Sequence, residues 1–416
     1  MAAGRFRGKK AAFTVAYAAA MVLLGVVGLK IIDRVVGARE ASLGLESASP
    51  QLTIRSLELF PYEGFHVQAN FRHRGPMPWE LHTPEADFDV RTGDMGFFID
   101  FSLKDPPPKA ADEFRIILIG GSGAQGWGAT SNEKMFYKLL EANLNGRSPP
   151  VGARVRVINL AMGGTITYQN FVALNRWGHT LEPDLILAYV GRNDFYVPLQ
   201  HEAGTDAHTG FESLNAFALA LRGEQYPPRL AWLVKLMPNV MSRTSIGLGI
   251  KLAWGWEYFR QTAWTSYWAA RGLEPKDAKQ VLDKTAIPLL VHSLRSIKRD
   301  FEGVPIMMVW QPIREEGPAL IDHLGPNFYE EMFERTKREL DGFMNGRWYF
   351  YDLHSTSRLS TRGSFRFHLD DEAHQITGKL LADQVANIMP ALLQDRSRRV
   401  AQGLPAGYGR EEDGRR

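Results

Sequence analysis

The chain has 416 residues, of which 44% are hydrophobic and 23% are charged, as expected for a globular protein. Its formal net charge of +3 is small for this length and gives no general argument for a nucleic-acid partner, so none is expected. The absence of cysteine excludes disulfide bonds and thiolate chemistry.

The amino-terminal segment predicts a membrane anchor. It begins with four basic residues: Arg5, Arg7, Lys9 and Lys10. Residues 11–29 follow without a single charge, and at the helical rise they are long enough to cross a bilayer core of about 30 Å. Because basic residues mark the cytoplasmic side, we expect residues 1–32 to be a cytoplasmic tip and single-pass anchor in the cell membrane. The rest would then be periplasmic or extracellular. A cleaved signal peptide with a weak small-residue site at Val36 and Ala38 is the alternative.

Residues 33–110 are predicted to form a connecting region, since prolines interrupt them repeatedly. Short extended pieces such as residues 64–71 are expected to pair with each other or to pack on the main domain. The histidines His66, His73 and His82 lack the spacing of metal ligands and are expected at the surface. We expect neither a metal nor another cofactor in this chain.

From residue 114 onwards, short apolar runs alternate with helical stretches, which is typical of a parallel sheet with helices on both faces. The predicted strands are residues 114–119, 154–160, 184–190, 305–309 and 348–351. The predicted helices are residues 133–144, with Asn132 as the N-cap, and residues 168–179, 278–299, 329–343 and 377–393. We therefore expect an α/β domain over residues 111–393 and a disordered tail over residues 394–416.

An insertion at residues 199–275 interrupts this alternation. It contains half of the ten tryptophans: Trp232, Trp254, Trp256, Trp264 and Trp268. One interpretation is a helical subdomain that packs its aromatic side chains inward. The other is a lid or platform beside the end of the sheet, where aromatic faces would suit sugar rings or a lipid interface.

The rest of the chain is organised around residues 116–128, IILIGGSGAQGWG. The apolar run predicts a buried parallel strand, and Ser122 follows it in a tight turn, where α/β sheets bind ligands. Three interpretations of this stretch compete. It is a glycine-rich strand-to-helix turn in which Ser122 has no chemical role, or Ser122 is a nucleophile, or the glycines Gly121, Gly123 and Gly126 form the G-x-G-x-x-G fingerprint of a dinucleotide site. That fingerprint needs an acid at the end of the next strand, where the chain has Asn159 followed by Leu and Ala.

Three further clusters follow: NLAMGG at residues 159–164, GRND at residues 191–194 and LDDEAHQITG at residues 369–378. Together with a serine they supply what acyl transfer requires. The serine hydroxyl needs a base to remove its proton, and a carboxylate must orient that base. N–H groups must also face the developing oxyanion.

With these blocks the chain resembles the SGNH (GDSL-type) hydrolases. That family carries G-D-S-x-x-x-G, N-x-x-x-x-G, G-x-N-D and D-x-x-H in this order, and here they read GGSGAQG, NLAMGG, GRND and DEAH. The resemblance covers roughly residues 114–393 apart from the insertion. It implies a flavodoxin-like three-layer sandwich with a parallel sheet. It also implies a set of site residues: Ser122 as nucleophile, His374 as base, Asp371 as orienting carboxylate, and Ser122, Gly164 and Asn193 as oxyanion hole.

The sequence departs from the family pattern at two places. Gly121 replaces the aspartate before the serine, a G-G-S form that resembles membrane-anchored relatives. The interval from His374 to the next glycine is one residue shorter than the commoner form. Asp370 therefore competes with Asp371 as the carboxylate, and His368 is a distant alternative base.

The resemblance and the predicted anchor together imply a membrane-anchored, extracytoplasmic serine esterase. We expect it to deacetylate or deacylate an envelope or secreted carbohydrate through an acyl-enzyme. A lipase or lysophospholipase-type esterase and an O-acyltransferase are the enzymatic alternatives. A non-catalytic glycan-binding or assembly factor is the alternative from another class. The expected partners are an ester-bearing carbohydrate or lipid, and the membrane.

Overall fold

The computed structural model describes residues 26–32, 34–35, 57–60, 64–67, 69–75, 88–147, 152–195, 198, 236–237, 275–312, 327–343, 348–357 and 368–401. The chain divides into two compact units, one of Met1–Arg55 with Ala216–Phe259 and one of Ser56–Asn215 with Arg260–Arg416. Apart from residues 236, 237 and 275, the predicted tryptophan-rich insertion lies outside the described residues.

In the first unit, residues 26–32 and 34–35 are helical. Within the described part of the chain, no helix combines the length and the apolar character that crossing a bilayer requires. Residues 11–25 of the predicted anchor lie outside the described residues. The membrane anchor therefore stays a prediction.

The second unit begins with two antiparallel strand pairs. Strand β1 (Leu57–Phe60) pairs with β2 (Gly64–Val67), and β3 (Arg72–Gly75) pairs with β4 (Phe88–Arg91). Extended pieces of this region thus pair with each other, as predicted. His73 is buried with its Nε2 3.0 Å from the carbonyl oxygen of Gly75, so its predicted surface position is wrong.

Within the described residues, the main sheet has five parallel strands. They are β5 (Glu113–Gly120), β6 (Arg154–Asn159), β7 (Leu185–Val190), β8 (Ile306–Trp310) and β9 (Trp348–Asp352). Their spatial order is β6-β5-β7-β8-β9, with every neighbouring pair parallel. This is the 2-1-3-4-5 order of flavodoxin-like sheets. The predicted α/β class and parallel sheet are confirmed, and each predicted strand end lies within one residue of the observed one.

The α-helices of this unit whose bounds lie within the described residues are numbered here in chain order. They are α1 (Ser122–Gln125), α2 (Phe136–Asn145), α3 (Thr167–Trp177), α4 (Pro275–Val281), α5 (Ile287–Asp300), α6 (Phe328–Leu340), α7 (Leu353–Ser357) and α8 (Asp371–Ala401). A π-helical turn at Leu282–Ala286 joins α4 to α5. Asn132 starts a separate 3-10 turn, so α2 begins later than predicted, with Met135 as its N-cap.

Both faces of the sheet are covered, which gives three layers. Alternate residues of β5 point to opposite faces, and all of them are buried. On one face, Ile117 and Ile119 belong to the core that includes α3, α5 and α6. On the other face, α2 packs on β6 and against α8, and the ring of Phe136 lies 5.3 Å from that of Tyr189 in β7.

The packed domain extends beyond both predicted boundaries. Phe97, Ile99 and Leu103, from the predicted connecting region, belong to the same core as β5 and β7. At the other end, α8 continues to Ala401 rather than ending at residue 393. Arg396 of α8 donates hydrogen bonds to the carbonyl oxygens of Glu113 and Ala111, at 2.6 and 2.9 Å. Residues 394–401 of the predicted disordered tail are therefore helical.

Candidate active site

Two predicted blocks and two further segments meet at the carboxyl edge of the sheet. Ser122 follows β5, Arg192 and Asn193 follow β7, Gln311 follows β8, and His368 precedes α8. They enclose a cleft, called here the Ser122 cleft, with a volume of about 20 Å³, roughly the space of one water-sized group. The Ser122 cleft is lined by Ser122, Gly123, Tyr189, Arg192, Asn193, Gln311, Pro312, His368 and Leu369.

Asn159 fixes the serine turn against the end of β6. Its side-chain Nδ2 donates to the carbonyl oxygens of Ala124 and Gln125, both at 3.1 Å, and its Oδ1 accepts from the Ala161 N–H at 2.9 Å. The residue is 1% exposed, so these bonds satisfy an amide that would be costly to bury unpaired. The sequence pattern did not predict this structural role of Asn159.

Asn193 lies beside the serine turn and is held in place. Its Nδ2 donates to the carbonyl oxygen of Thr165 at 2.9 Å, which leaves the second N–H of the amide for another acceptor. A Cβ atom on Gly121 would lie 2.5 Å from this Nδ2. The Asn193 amide thus occupies the space that a side chain at residue 121 would need, which explains glycine there.

The glycines after β6 also border the serine. A Cβ atom on Gly163 would lie 3.9 Å from the Cβ of Ser122, so Gly163 lies close to Ser122. Gly164 adopts a left-handed backbone with φ of 73°, which a glycine tolerates without strain. The role of the Gly164 N–H as an oxyanion donor stays a prediction.

Asp194 ties the GRND turn to α3. Its Oδ1 accepts from the Thr167 N–H at 2.8 Å, and its Oδ2 accepts from the Gly191 N–H at 3.0 Å. The carboxyl is 6% exposed, and burial raises its pKa although both backbone N–H groups favour the charged form. This residue positions the turn that carries Arg192 and Asn193.

The described hydrogen bonds of Asp371 go to Thr130 and Lys134 and not to His374. Asp371 Oδ1 accepts from the Thr130 N–H at 2.8 Å, while Oδ2 accepts from Thr130 Oγ1 at 2.7 Å and from Lys134 Nζ at 2.6 Å. Partial burial acts to raise the pKa of Asp371, but Lys134 and Thr130 outweigh it and hold that pKa below its usual range. The predicted role of Asp371 as the orienting carboxylate of His374 is wrong, because its oxygens are bound elsewhere.

His374 is a buried packing residue in this arrangement. Its Nδ1 accepts from the Phe136 N–H at 3.2 Å, its Nε2 lies 3.3 Å from the carbonyl oxygen of Trp127, and its ring stacks on that of Phe136. One neutral tautomer satisfies both contacts, with the proton on Nε2. The Nδ1 lone pair is then used by the backbone, and His374 is not among the residues lining the Ser122 cleft. This geometry does not support the prediction of His374 as the base.

His368 is the histidine that the structure places with Ser122, since both line the same cleft. Gly128 sets this arrangement. Its φ is 94°, and a Cβ atom there would lie 2.1 Å from the carbonyl oxygen of Leu369 and 3.1 Å from the Cβ of His368. The glycine-rich stretch after Ser122 therefore packs directly on the segment that carries His368.

Asp370, the alternative carboxylate, caps the start of α8. Its Oδ1 accepts from the Ala373 N–H at 2.9 Å, and its carbonyl oxygen accepts from the His374 N–H at 2.8 Å. Burial raises the pKa of Asp370. Among the described residues, no cluster of three or more His, Asp or Glu side chains could hold a metal ion.

No protein-family model matches the chain, and no curated protein sequence matches it. Among solved structures, it is similar to a lipase/acylhydrolase from Enterococcus faecalis, with 11% identity over 66% of this chain and 96% of that chain and a TM-score of 0.37. A psychrotrophic esterase from Pseudoalteromonas sp. matches with 11% identity over 66% and 98%, and a TM-score of 0.34. A family 3 carbohydrate esterase from Clostridium thermocellum matches with 13% identity over 67% and 98%, and a TM-score of 0.33. Since these TM-scores lie below 0.5, the likenesses carry no argument about this chain.

Proposed function

We propose that the chain is a serine esterase in which Ser122 is the nucleophile and His368 the general base. The observation that carries this proposal is the Ser122 cleft, where both side chains lie with the Asn193 amide at the carboxyl edge of the parallel sheet. A hydroxyl, an imidazole and an amide donor are the groups that acyl transfer needs. The SGNH blocks around Ser122 and Asn193 are consistent with it.

The reaction would proceed in two steps. In the first, Ser122 Oγ attacks the ester carbonyl carbon while His368 takes the hydroxyl proton, and the negative oxygen is met by the Ser122 N–H and the free N–H of the Asn193 amide. The bond to the alcohol then breaks, and His368 returns the proton to the leaving oxygen. In the second step, water attacks the acyl-enzyme, gives its proton to His368, and releases the acid and the serine hydroxyl.

The substrate class and the location are parts of the same proposal. The basic cluster before residues 11–29 supports a single-pass anchor with the esterase outside the cytoplasm. The favoured substrate is an acetylated or otherwise acylated carbohydrate, and a lipid ester is the alternative. A sugar hydroxyl in place of the attacking water would turn the same site into an O-acyltransferase.

Labelling with a fluorophosphonate and hydrolysis of p-nitrophenyl acetate test the assignment. Ser122→Ala and His368→Gln should each lower hydrolysis at least about a thousandfold, because residues of such a site act as a unit. Ser131→Ala is the matched control: this serine also lies at the start of a helical turn, Asn132–Lys134, makes no side-chain cap hydrogen bond and does not line the cleft. His374→Gln should lower the melting temperature, since it disturbs a buried ring.

Two outcomes would contradict the proposal. If His368→Gln keeps wild-type activity while His374→Gln loses it at an unchanged melting temperature, the base is His374. If the wild-type chain neither reacts with the fluorophosphonate nor hydrolyses any ester, the fold serves a non-catalytic role, and a glycan-binding or assembly factor becomes the better interpretation.

A further inference from the structure

Gln311 brings a neutral side-chain amide to the Ser122 cleft. The residue follows β8 directly and is one of those that line the cleft. A Cβ atom on Gly123 would lie 3.6 Å from Gln311 Oε1, so the amide oxygen is close to the backbone of the residue that follows Ser122. The cleft thus holds a polar group near the proposed nucleophile to which the two-step reaction assigns no role.

The backbone of Gln311 is held by three neighbours. Its N–H donates to the carbonyl oxygen of Val190 at 3.0 Å, which continues the pairing of β8 with β7. Its carbonyl oxygen accepts from the Tyr329 hydroxyl at 2.9 Å. Pro312 follows, and a residue before proline is restricted to extended conformations. Because the backbone is already fixed, ordering the amide against a ligand costs the freedom of the side chain alone.

The side-chain amide of Gln311 has hydrogen-bonding groups available to a ligand. The residue is 8% exposed, and its hydrogen bonds to other described residues are those of its backbone, with none from the side chain. A buried amide is costly to leave without hydrogen bonds. It offers one acceptor oxygen and two N–H donors, and a hydroxyl group both donates and accepts. The amide therefore suits a ligand that carries a hydroxyl.

We propose that Gln311 binds a hydroxyl group on the alcohol side of the ester, so that the Ser122 cleft selects acylated polyols over simple alkyl esters. The inference rests on the proposed esterase function, since it names a specificity residue of that site. A sugar that carries an acyl group on one oxygen and a free hydroxyl on the neighbouring carbon presents this chemistry. An ester of a simple alkyl alcohol lacks it, and the polar group that would bind the hydroxyl is then left unpaired, which disfavours that substrate.

Two pairs of esters of nearly equal size test the inference through kinetics on the full chain, with the released acid measured by titration. 2-Hydroxyethyl acetate and propyl acetate differ by a hydroxyl on the alcohol side, whereas ethyl glycolate and ethyl propionate differ by one on the acyl side. The wild type should have the higher kcat/KM for 2-hydroxyethyl acetate than for propyl acetate. Gln311→Met should lower this ratio about three- to tenfold, the effect of one hydrogen bond, since methionine is of similar length and cannot replace the amide. The ratio of the second pair should stay unchanged.

Gln375→Met is the matched control, because this exposed glutamine of α8 undergoes the same substitution and does not line the cleft. It should leave both ratios unchanged. Binding of the same esters to the Ser122→Ala chain, followed by ligand-observed NMR, gives a readout that needs no turnover. Ser122→Ala should bind 2-hydroxyethyl acetate more tightly than propyl acetate, and the double variant Ser122→Ala/Gln311→Met should lose that difference.

The outcomes separate the two proposals. Ser122-dependent hydrolysis with the same ratios and the same binding preference with and without Gln311 overturns the Gln311 inference and leaves the esterase proposal standing. Gln311-dependent binding of 2-hydroxyethyl acetate without hydrolysis of any ester overturns the esterase proposal and keeps hydroxyl recognition. Equal losses of Gln311→Met on both members of each pair, with a lowered melting temperature, show a structural role and overturn the inference. A response confined to the ethyl glycolate pair overturns the selection of acylated polyols.

Discussion

Gly128 controls the distance between the serine turn and the segment before α8. Its backbone approaches Leu369 so closely that a Cβ atom would lie 2.1 Å from the Leu369 carbonyl oxygen. The same atom would meet the Cβ of His368 at 3.1 Å. Since this clash is with backbone, it cannot be relieved by a side-chain rotation. Any side chain at residue 128 must move either the serine turn or the segment with His368.

Gly128→Ala should therefore damage the site as well as the fold. We expect it to lower the free energy of unfolding by about 1–3 kcal/mol through its left-handed backbone, with a further loss from the collision. It should also lower esterase activity at least about tenfold, because His368 shifts. Chemical denaturation and p-nitrophenyl acetate hydrolysis measure the two effects.

Gly342→Ala is the control for strain without collision. Gly342 also has a positive φ, of 74°, but a Cβ atom there would meet no atom within 4 Å. The Gly342→Ala variant should therefore have a lower free energy of unfolding than the wild type and an unchanged esterase activity. If Gly128→Ala and Gly342→Ala behave alike in both measurements, the contact with Leu369 does not position His368.

His374 shows where the family sequence pattern and the helical pattern of the chain give different predictions. The D-x-x-H spacing of Asp371 and His374 fits the family block, but these residues form the first turn of α8. His374 then lies on the buried stripe of that helix, which continues through Thr377, Leu381, Val385 and Met389. This helical spacing is a signal within the sequence, and it would have assigned His374 to the core.

At the scale of the element, helix α8 has contacts near both edges of the sheet, the carboxyl edge and the opposite one. Its start carries the Asp370 cap and the ion pair of Asp371 with Lys134, next to the segment with His368. Its far end brings Arg396 to the opposite edge of the sheet, where the guanidinium donates to the carbonyl oxygens of Glu113 and Ala111. There Lys109 and Asp184 form a buried ion pair, with Nζ and Oδ2 2.7 Å apart.

Arg396→Ala should lower the free energy of unfolding by about 1–3 kcal/mol, because two carbonyl oxygens lose a charged donor. The Arg396 side chain is 11% exposed, so water replaces these bonds incompletely. Arg398→Ala on the exposed side of the same helix should stay within about 0.5 kcal/mol of the wild type. Urea denaturation of the full chain measures both. Equal effects would mean that residues 394–401 add nothing to the packed domain.

Strands β5, β7 and β8 were predictable because each is a short apolar run buried on both faces, a property that local sequence determines. Helix starts were less predictable. Asn132 has the residue type of an N-cap, but its Oδ1 accepts from the Arg91 N–H and its Nδ2 donates to the Arg91 carbonyl oxygen. Contacts between residues distant in sequence also decide the site, since Asp371 reaches Thr130 and Lys134 across more than two hundred residues.

At the scale of the whole molecule, the sequence predicts that the α/β domain lies outside the cytoplasm, behind an amino-terminal membrane anchor. In a Gram-negative host, protease added to spheroplasts should digest the chain after about residue 30, the length that a spanning helix uses. The cytoplasmic tip should survive as a short fragment held by the membrane. Full protection of residues 111–393 from the protease would rule out the extracytoplasmic placement.

The distance along the chain between Ser122 and His368 also has a consequence for biosynthesis. About 250 residues separate them, so at a synthesis rate of about 5–20 residues per second the serine leaves the ribosome roughly 10–50 s before the histidine does. Under the proposed assignment, the nascent chain would carry its nucleophile without its base throughout that interval. Truncated products of interrupted translation would be inert for the same reason. We therefore expect hydrolysis only from chains that have been translated almost to their end.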